Sequence, residues 1–261
     1  MGGYFGTEQQ QRLQRLSDEA VPWMRQTPGA CNAGRFMGTD DPDKLGWDRI
    51  FATLGYDGVF GFRMIKAESV PPIREQLADR GYRLDTWDVF MGTTDSLPAA
   101  RAIASEGLPE GFSEGSLDVE DGPVTQQVQT LMNDCGVVPF SGAMLTGALG
   151  PAASVVIVDK DSSPVATAFT YLGHFSHSPF SDVAWGGLVA VSPTVRGRGF
   201  GKLVNAMMVV RAFEQLGATG IYELVSSTNM ASRRMVEASG VIYEPGYLCG
   251  LATASAERFT R

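Results

Sequence analysis

Histidine and cysteine are scarce in this chain: of 261 residues only His174 and His177 are histidines, and only Cys31, Cys135 and Cys249 are cysteines. No His/Cys/carboxylate cluster has metal-ligand spacing and there is no CxxC pair, so the sequence predicts no metal. The three thiols are too widely spaced for such a motif and read as buried free cysteines. A GxSxG nucleophile elbow is also missing, which argues against a Ser-His-Asp hydrolase. Long apolar runs are missing too. A membrane span needs roughly 20 apolar residues, whereas the longest candidates, such as Ala152–Val158, have strand length. The first residues lack the basic-then-apolar order of a secretory signal, and Gly6 stands where a myristoylation motif has Ser or Thr. The expectation is a cytoplasmic protein with no membrane partner. Positive charge is in deficit: 21 Lys and Arg face 29 Asp and Glu, for a net charge of −8. Phosphate-backbone binding needs clustered cations, so nucleic acid is not an expected partner. The acidity suits a cationic substrate, and equally it is a common solubility device.

What is present is an ordinary globular composition, 44% hydrophobic and 19% charged, with room for one large domain or two small ones. Two halves can be read. In the first, Thr7–Arg25 has helical spacing of Leu13, Leu16 and Val21, Gly61–Ile65 reads as a strand, and Pro72–Arg80 as a helix stopped by Gly81. Tyr82–Phe90 continues as a strand, and residues 96–110 connect to the second half, within a longer linking stretch that holds one short helix. The second half, residues 111–261, opens with a short strand at Ser116–Val119 and a helix at Thr125–Asn133, with a further helical turn at Ser141–Thr146. A hairpin of Ser154–Asp159 and Val165–Leu172 follows, turned by Lys160-Asp161-Ser162-Ser163-Pro164. Then come a strand at Val183–Val191, a helix at Gly199–Leu216 and a strand at Ile221–Val225. A helix at Asn229–Ala238 and an extended segment at Val241–Leu251 complete the series. The order helix, Gly, extended segment recurs in Pro72–Phe90 and Ser232–Cys249, with Gly81 matching Gly240. Either this is the ordinary rhythm of an α/β chain, or residues 1–95 are a degenerate first copy of the second half.

The informative stretch runs from Trp185 to Val204. A strand ends, Pro193 turns the chain, and the glycine-rich loop Arg196-Gly197-Arg198-Gly199-Phe200-Gly201-Lys202 opens a helix. Amides at a helix start lack intrahelical partners, and the helix dipole favours an anion there. Alternate glycines let the backbone approach a diphosphate. The loop is not a P-loop, because Arg196 stands where GxxxxGK has its first Gly and Leu203 follows Lys202. It is not a dinucleotide fingerprint either, since Lys202 takes the third glycine position.

The loop does resemble the signature of the GNAT superfamily of N-acetyltransferases, Arg/Gln-x-x-Gly-x-Gly/Ala, read here as Arg196-x-x-Gly199-x-Gly201. The resemblance extends over about residues 111–250, with strand, helix, hairpin, strand, signature helix, strand, helix and strand in family order. It implies a mixed α/β fold with a central sheet of GNAT type and flanking helices, preceded by the smaller α/β region. It also implies acetyl-CoA as cosubstrate. Its pantetheine arm would lie along Val189, Ala190 and Val191, its diphosphate on the amides from Arg196 to Lys202, and Asn229 and Ser232 would line the far side. The activity implied is transfer of an acetyl group to a primary amine of a small molecule or peptide, by direct attack within a ternary complex.

The catalytic residues are harder to place. The amine must lose a proton, and the thiolate must leave. Where many family members carry a tyrosine for the second task, this chain has Val236. Tyr243 and Tyr222 are candidate substitutes, while Glu223 and His174 are candidate bases, with Asp182 a further carboxylate. Loss of that tyrosine equally admits an acyl-CoA-binding sensor without strong activity. For the first half, the readings left open are dimerisation, giving a homodimer, and capping of the acceptor cleft.

Overall fold

The computed structural model describes residues 3–254. The first helix, α1 (Glu8–Gln26), begins at Thr7, whose hydroxyl accepts from the Gln10 amide while the Gln10 side chain accepts from the Thr7 N–H. This reciprocal cap satisfies two orphan donors of the first turn. Short strands β1 (Ala30–Asn32) and β2 (Met37–Thr39) follow, then α2 (Pro42–Leu45), α3 (Trp47–Asp57) and strand β3 (Val59–Lys66). Helix α4 (Val70–Ala78), strand β4 (Arg83–Thr93) and helix α5 (Leu97–Ala104) lead to the short strand β5 (Phe112–Gly115). The remaining elements are α6 (Pro123–Asp134), α7 (Gly142–Leu145), β6 (Ala152–Asp159), β7 (Pro164–Tyr171), β8 (Val183–Val191), α8 (Phe200–Glu214), β9 (Gly220–Val225), α9 (Met230–Ala238) and β10 (Ile242–Thr253).

All ten strands join one mixed sheet in the order β1-β2-β3-β10-β4-β9-β8-β7-β6-β5. Among the described residues only β2/β3 and β8/β9 pair parallel. The two halves read from sequence are therefore stitched together: the last strand, β10, lies between β3 and β4 and pairs antiparallel with both. Alternation along the strands sorts the core into two layers. On one face Phe90, Ala184 and Ile221 pack with Val204 and Met208 of α8 and with α5 and α9, and Phe60 and Phe62 pack with α3 and with Leu77 of α4. On the other, Tyr171, Trp185 and Tyr222 pack with Val128 and Met132 of α6 and with Phe140 and α7, while α1 covers the β1–β3 end.

Most predicted elements sit within a few residues of their expected bounds. Three differences matter. The strand expected at Ser116–Val119 is instead β5, at Phe112–Gly115, paired with β6. Helices α2 and α3 and strands β1 and β2 had no sequence counterpart. The internal echo also has another register. Strands β3 and β8 each carry a bulge with a non-glycine residue at positive φ, Met64 (51°) and Leu188 (52°), and each is followed by a 3-10 turn, a helix, a strand and a helix. The helix matching α4 is therefore α8, not α9, and Gly81 corresponds to Gly217 rather than Gly240.

Candidate active site

Strands β8 and β9 run side by side only from Val183/Gly220 to Gly186/Glu223. Beyond that pair no register continues, and the strands part. The cause is local: between Gly187 and Ala190 of β8 two residues, Leu188 and Val189, face the single Ala168 of β7. Such a bulge bends its strand and takes an N–H out of the ladder. Leu188 is held at φ 52°, a conformation that costs a branched residue about 1–2 kcal/mol.

A cavity of about 240 Å³ occupies the gap. Its walls on the α8/α9 face include Glu223, Ser232, Met235 and Val236, and on the opposite face Arg35, Arg63, Phe140 and Trp185. The cavity thus passes through the sheet where the strands separate. Of the expected cofactor residues, Val189 and Ser232 line it. Ala190 and Val191 are held by β7 through Thr167 and Ala166, and the Val191 carbonyl accepts from the Cys135 thiol and from Arg196 Nε, both at 3.2 Å.

At the start of α8 the N-cap is Gly199, and no side chain caps the first turn. Gly197 and Gly199 have φ of 77° and 84°, which an L side chain adopts at a cost, and a Cβ on either would point into open space. The turn is thus shaped by backbone alone, with uncapped amides facing outward. Phe200 is buried, and Arg198 stacks over Phe112 and Phe200 at 4.9 and 5.7 Å. Lys202 lies 3.7 Å from Glu106. This loop fits an anionic diphosphate: open space, left-handed glycines, free helix-start donors and three flanking cations. Asn229 is exposed and its carbonyl caps α9, accepting from the Ser232 amide at 3.1 Å.

The candidate catalytic residues fall in three places. Glu223, 3% exposed, lies at the fork where β8 and β9 part and lines the cavity. Burial raises its carboxyl to about 8, against a hydrogen bond from Asn205 Nδ2 at 3.2 Å that lowers it. The same Asn205 amide donates to Ser239. Tyr222 and His174 meet each other on the opposite face. His174 Nε2 is 3.1 Å from the Tyr222 hydroxyl, and its Nδ1 is 2.6 Å from Asp40, which also accepts from Ser178. Neither lines the cavity; Tyr222 points away from Glu223, as neighbouring strand residues do. Tyr243 is 44% exposed and stacks on Phe90 and Arg233, outside the cavity wall. Trp185 reads from sequence as core or pocket wall, whereas Arg35 and Arg63 had no sequence signal for the site. These two come from the first half of the chain, Arg63 on β3 and Arg35 between β1 and β2.

Parallel strands that part around a cavity beside a glycine-rich helix start sit here in a mixed α/β fold of GNAT type. The comparisons agree. Residues 127–241 match the model of the Acetyltransferase (GNAT) family. A GCN5-related N-acetyltransferase from Kribbella flavida superposes with TM-score 0.58 at 16% identity, covering 95% of this chain and 96% of that one. A Drosophila protein gives 0.57 at 14% identity, covering 97% and 91%. A tandem GNAT protein from the clavulanic acid biosynthesis pathway gives 0.53 at 11% identity, covering 93% and 89%. At these identities the likeness is one of fold, and it extends over both halves. No curated protein matches the chain in sequence. The family's chemistry is acyl transfer from an acyl-CoA to an amine. Among the described residues no group of His, Cys, Asp and Glu could hold a metal ion, and no helix is long and apolar enough to cross a membrane.

Proposed function

We propose that this protein transfers an acetyl group from acetyl-CoA to a primary amine, with Glu223 as the general base. The observation that supports it best is a buried carboxyl on the wall of the cavity that opens where β8 and β9 part. The loop from Arg196 to Lys202 would hold the diphosphate, and Val189 and Ser232 would flank the arm. Bound acetyl-CoA supplies an activated acyl carbon and a thiolate leaving group. The chain's own residues do the rest. Glu223 accepts a proton from the incoming ammonium, and its raised pKa of about 8 brings it near that of the group it must deprotonate. The N–H freed by the bulge at Leu188 and Val189 donates to the acyl oxygen as charge builds there. Ser232 is the hydroxyl on the cavity wall for the departing thiolate.

One observation favours a second reading. Val236 lines the cavity, 1% exposed, and offers no proton, which suits an acyl-CoA-binding sensor. A thiol-release assay with acetyl-CoA and an amine panel separates the two. An enzyme gives acetylated product whose rate rises through pH 8, whereas binding without product supports the sensor.

A further inference from the structure

Residues that line the cavity carry three buried polar hydrogens without a partner. Among the described residues six buried polar side-chain atoms have no hydrogen-bond partner, and three of them, Arg35 Nε, Arg63 Nε and Trp185 Nε1, belong to residues that line it. All three are donors. Arg63 is 7% exposed; its Nη2 donates to the Ala33 carbonyl at 2.9 Å and its Nη1 to the Phe62 carbonyl at 3.5 Å. Arg35 donates through Nη1 to the Val138 carbonyl at 2.6 Å and stands 5.4 Å from the Phe140 ring. Neither guanidinium has a carboxylate partner among the described residues.

Two neighbouring cations held in a largely buried wall with carbonyls and aromatic rings but no carboxylate beside them are costly unless an anion completes the site. Burial and the Arg63 charge together lower Arg35 to about 10. The carboxylate that does line the cavity, Glu223, is on the other face of the sheet and is kept largely neutral by burial at pH 7. Chain geometry aims these groups deliberately. The β3 bulge puts Arg63 and Met64 on the same face, where plain alternation would separate them, and returns Ile65 to the α4 side.

We propose that the acceptor carries a carboxylate as well as its amine, and that Arg35, Arg63 and Trp185 bind that carboxylate. Flat guanidinium groups match a carboxylate in shape and charge. At about 240 Å³ the cavity is smaller than most ligand sites, which usually span roughly 300–1,000 Å³. An acceptor of amino-acid size therefore fits better than a peptide chain. The proposal rests on the acyl-transfer reading for the fate of the amine, and on the orphaned donors for the carboxylate.

The test pairs each of the twenty α-amino acids with the amine that lacks its carboxylate, in the presence of acetyl-CoA. Products are identified by mass spectrometry. Acetylation is expected from carboxylate-bearing acceptors, with the matched amines at least tenfold poorer in kcat/KM. Arg63→Gln and Arg35→Gln should each raise the acceptor KM tenfold or more and leave acetyl-CoA affinity unchanged. Should Arg63→Gln fail to fold, Arg35→Gln on the cavity rim carries the test. Equal use of acids and amines, or unchanged KM in the folded variants, overturns the proposal. A thermal-shift titration with the same acids and amines separates the two readings. Stabilisation by acids alone, lost in the arginine variants, with no product from any acceptor, upholds the carboxylate site and removes acyl transfer. No stabilisation by any acid, and no acid-selective product, removes the site.

Discussion

The β3–α4–β4–α5 segment and the β8–α8–β9–α9 segment start from the same plan and end differently. Each has a bulged strand with one residue at φ near 50°, a 3-10 turn, a helix and a second strand in the same direction. In the second, the two strands touch for four residue pairs and then separate around a cavity. In the first, β10 fills the space between β3 and β4 with backbone hydrogen bonds along both edges. The turn before α4, Lys66 to Val70, contains no glycine, and α4 opens on Val70-Pro71-Pro72 in place of a glycine nest. A bulge is therefore not by itself a substrate site. What it does depends on whether the neighbouring edge is free or paired. With its edge paired, the β3 bulge has the separate effect of placing Met64 on the same face as Arg63, which lines the other segment's cavity.

The comparison breaks most completely at the two helix starts. Gly199→Asp or Gly201→Asp places a Cβ and a negative charge against the α8 amides, and at Gly199 also forces a side chain into φ 84°. Acetyl-CoA binding by calorimetry should be lost in both. Ser69→Asp at the start of α4, where the first segment has its own turn, should leave affinity within twofold. Equal loss from both helices would mean that the ligand does not distinguish them.

A smaller but still large effect is expected at the fork. Glu223→Gln keeps the shape and the Asn205 contact but cannot take a proton. Loss of general base catalysis typically lowers rate by about 10²–10⁴, and the rise of rate through pH 8 should flatten. The same group gives a stability signature. Burial raises its folded pKa from an ordinary 4.5 to about 8, so the folded state holds the proton more tightly than the unfolded one. Its contribution is fully present below about pH 4.5 and is lost as pH rises through 8. Denaturant unfolding from pH 5 to 9 should show stability falling less steeply in Glu223→Gln than in the native chain. An identical slope would place Glu223 in contact with solvent.

How much of this was legible follows from how local each signal is. The α8 loop, its strand and the α6 and α9 helices are written in consecutive residues: Pro193, alternating glycines, Asn229 as a cap. The hairpin of β6 and β7 carries its own turn. By contrast the β10 insertion depends on pairings between residues more than 150 positions apart, such as Ile242 with Met91 and Leu251 with Gly61, which no local period encodes. Arg63 sits in an apolar strand and alternates with Phe62 to the opposite face; its place beside the cavity depends on the strand order, which no local period encodes. Helix α3 has readable spacing in Ile50, Thr53, Leu54 and Asp57, yet Gly46, Gly55 and Gly58 obscured it. Glu223 was recognised as a strand carboxylate, but its burial could not be seen without α8 and Asn205.

Tyr222→Phe tests a smaller effect on the far side of the sheet. The substitution removes the hydroxyl that meets His174 Nε2 and leaves the buried His174–Asp40 pair with one ring nitrogen unpartnered. Unsatisfied buried polar groups cost about 1–3 kcal/mol, so the melting temperature should fall by several degrees. Turnover should fall less than tenfold, because Tyr222 does not line the cavity. A hundredfold loss with unchanged stability would make Tyr222 part of the chemistry.

The smallest effect is expected at Tyr243, the other tyrosine that could replace the missing acid. It stands on β10, the strand that closes the first segment, and pairs with Phe90 just before β10 bulges away from β4. Its ring lies 5.7 Å from Phe90 and 5.3 Å from the Arg233 guanidinium, which in turn is bonded to Asp88 at 2.6 Å. These contacts use the face of the ring, and phenylalanine keeps that face and most of its attraction for the cation. The hydroxyl is outside the cavity wall formed by Ser232, Met235 and Val236. Tyr243→Phe should therefore leave acetyl-CoA affinity, turnover and melting temperature all close to native, with turnover within twofold. Ser232→Ala, which removes the hydroxyl on the cavity wall, should slow thiol release more than Tyr243→Phe does. The reverse order would return the departing thiolate to Tyr243 and require the α9–β10 corner to close over the cavity during turnover.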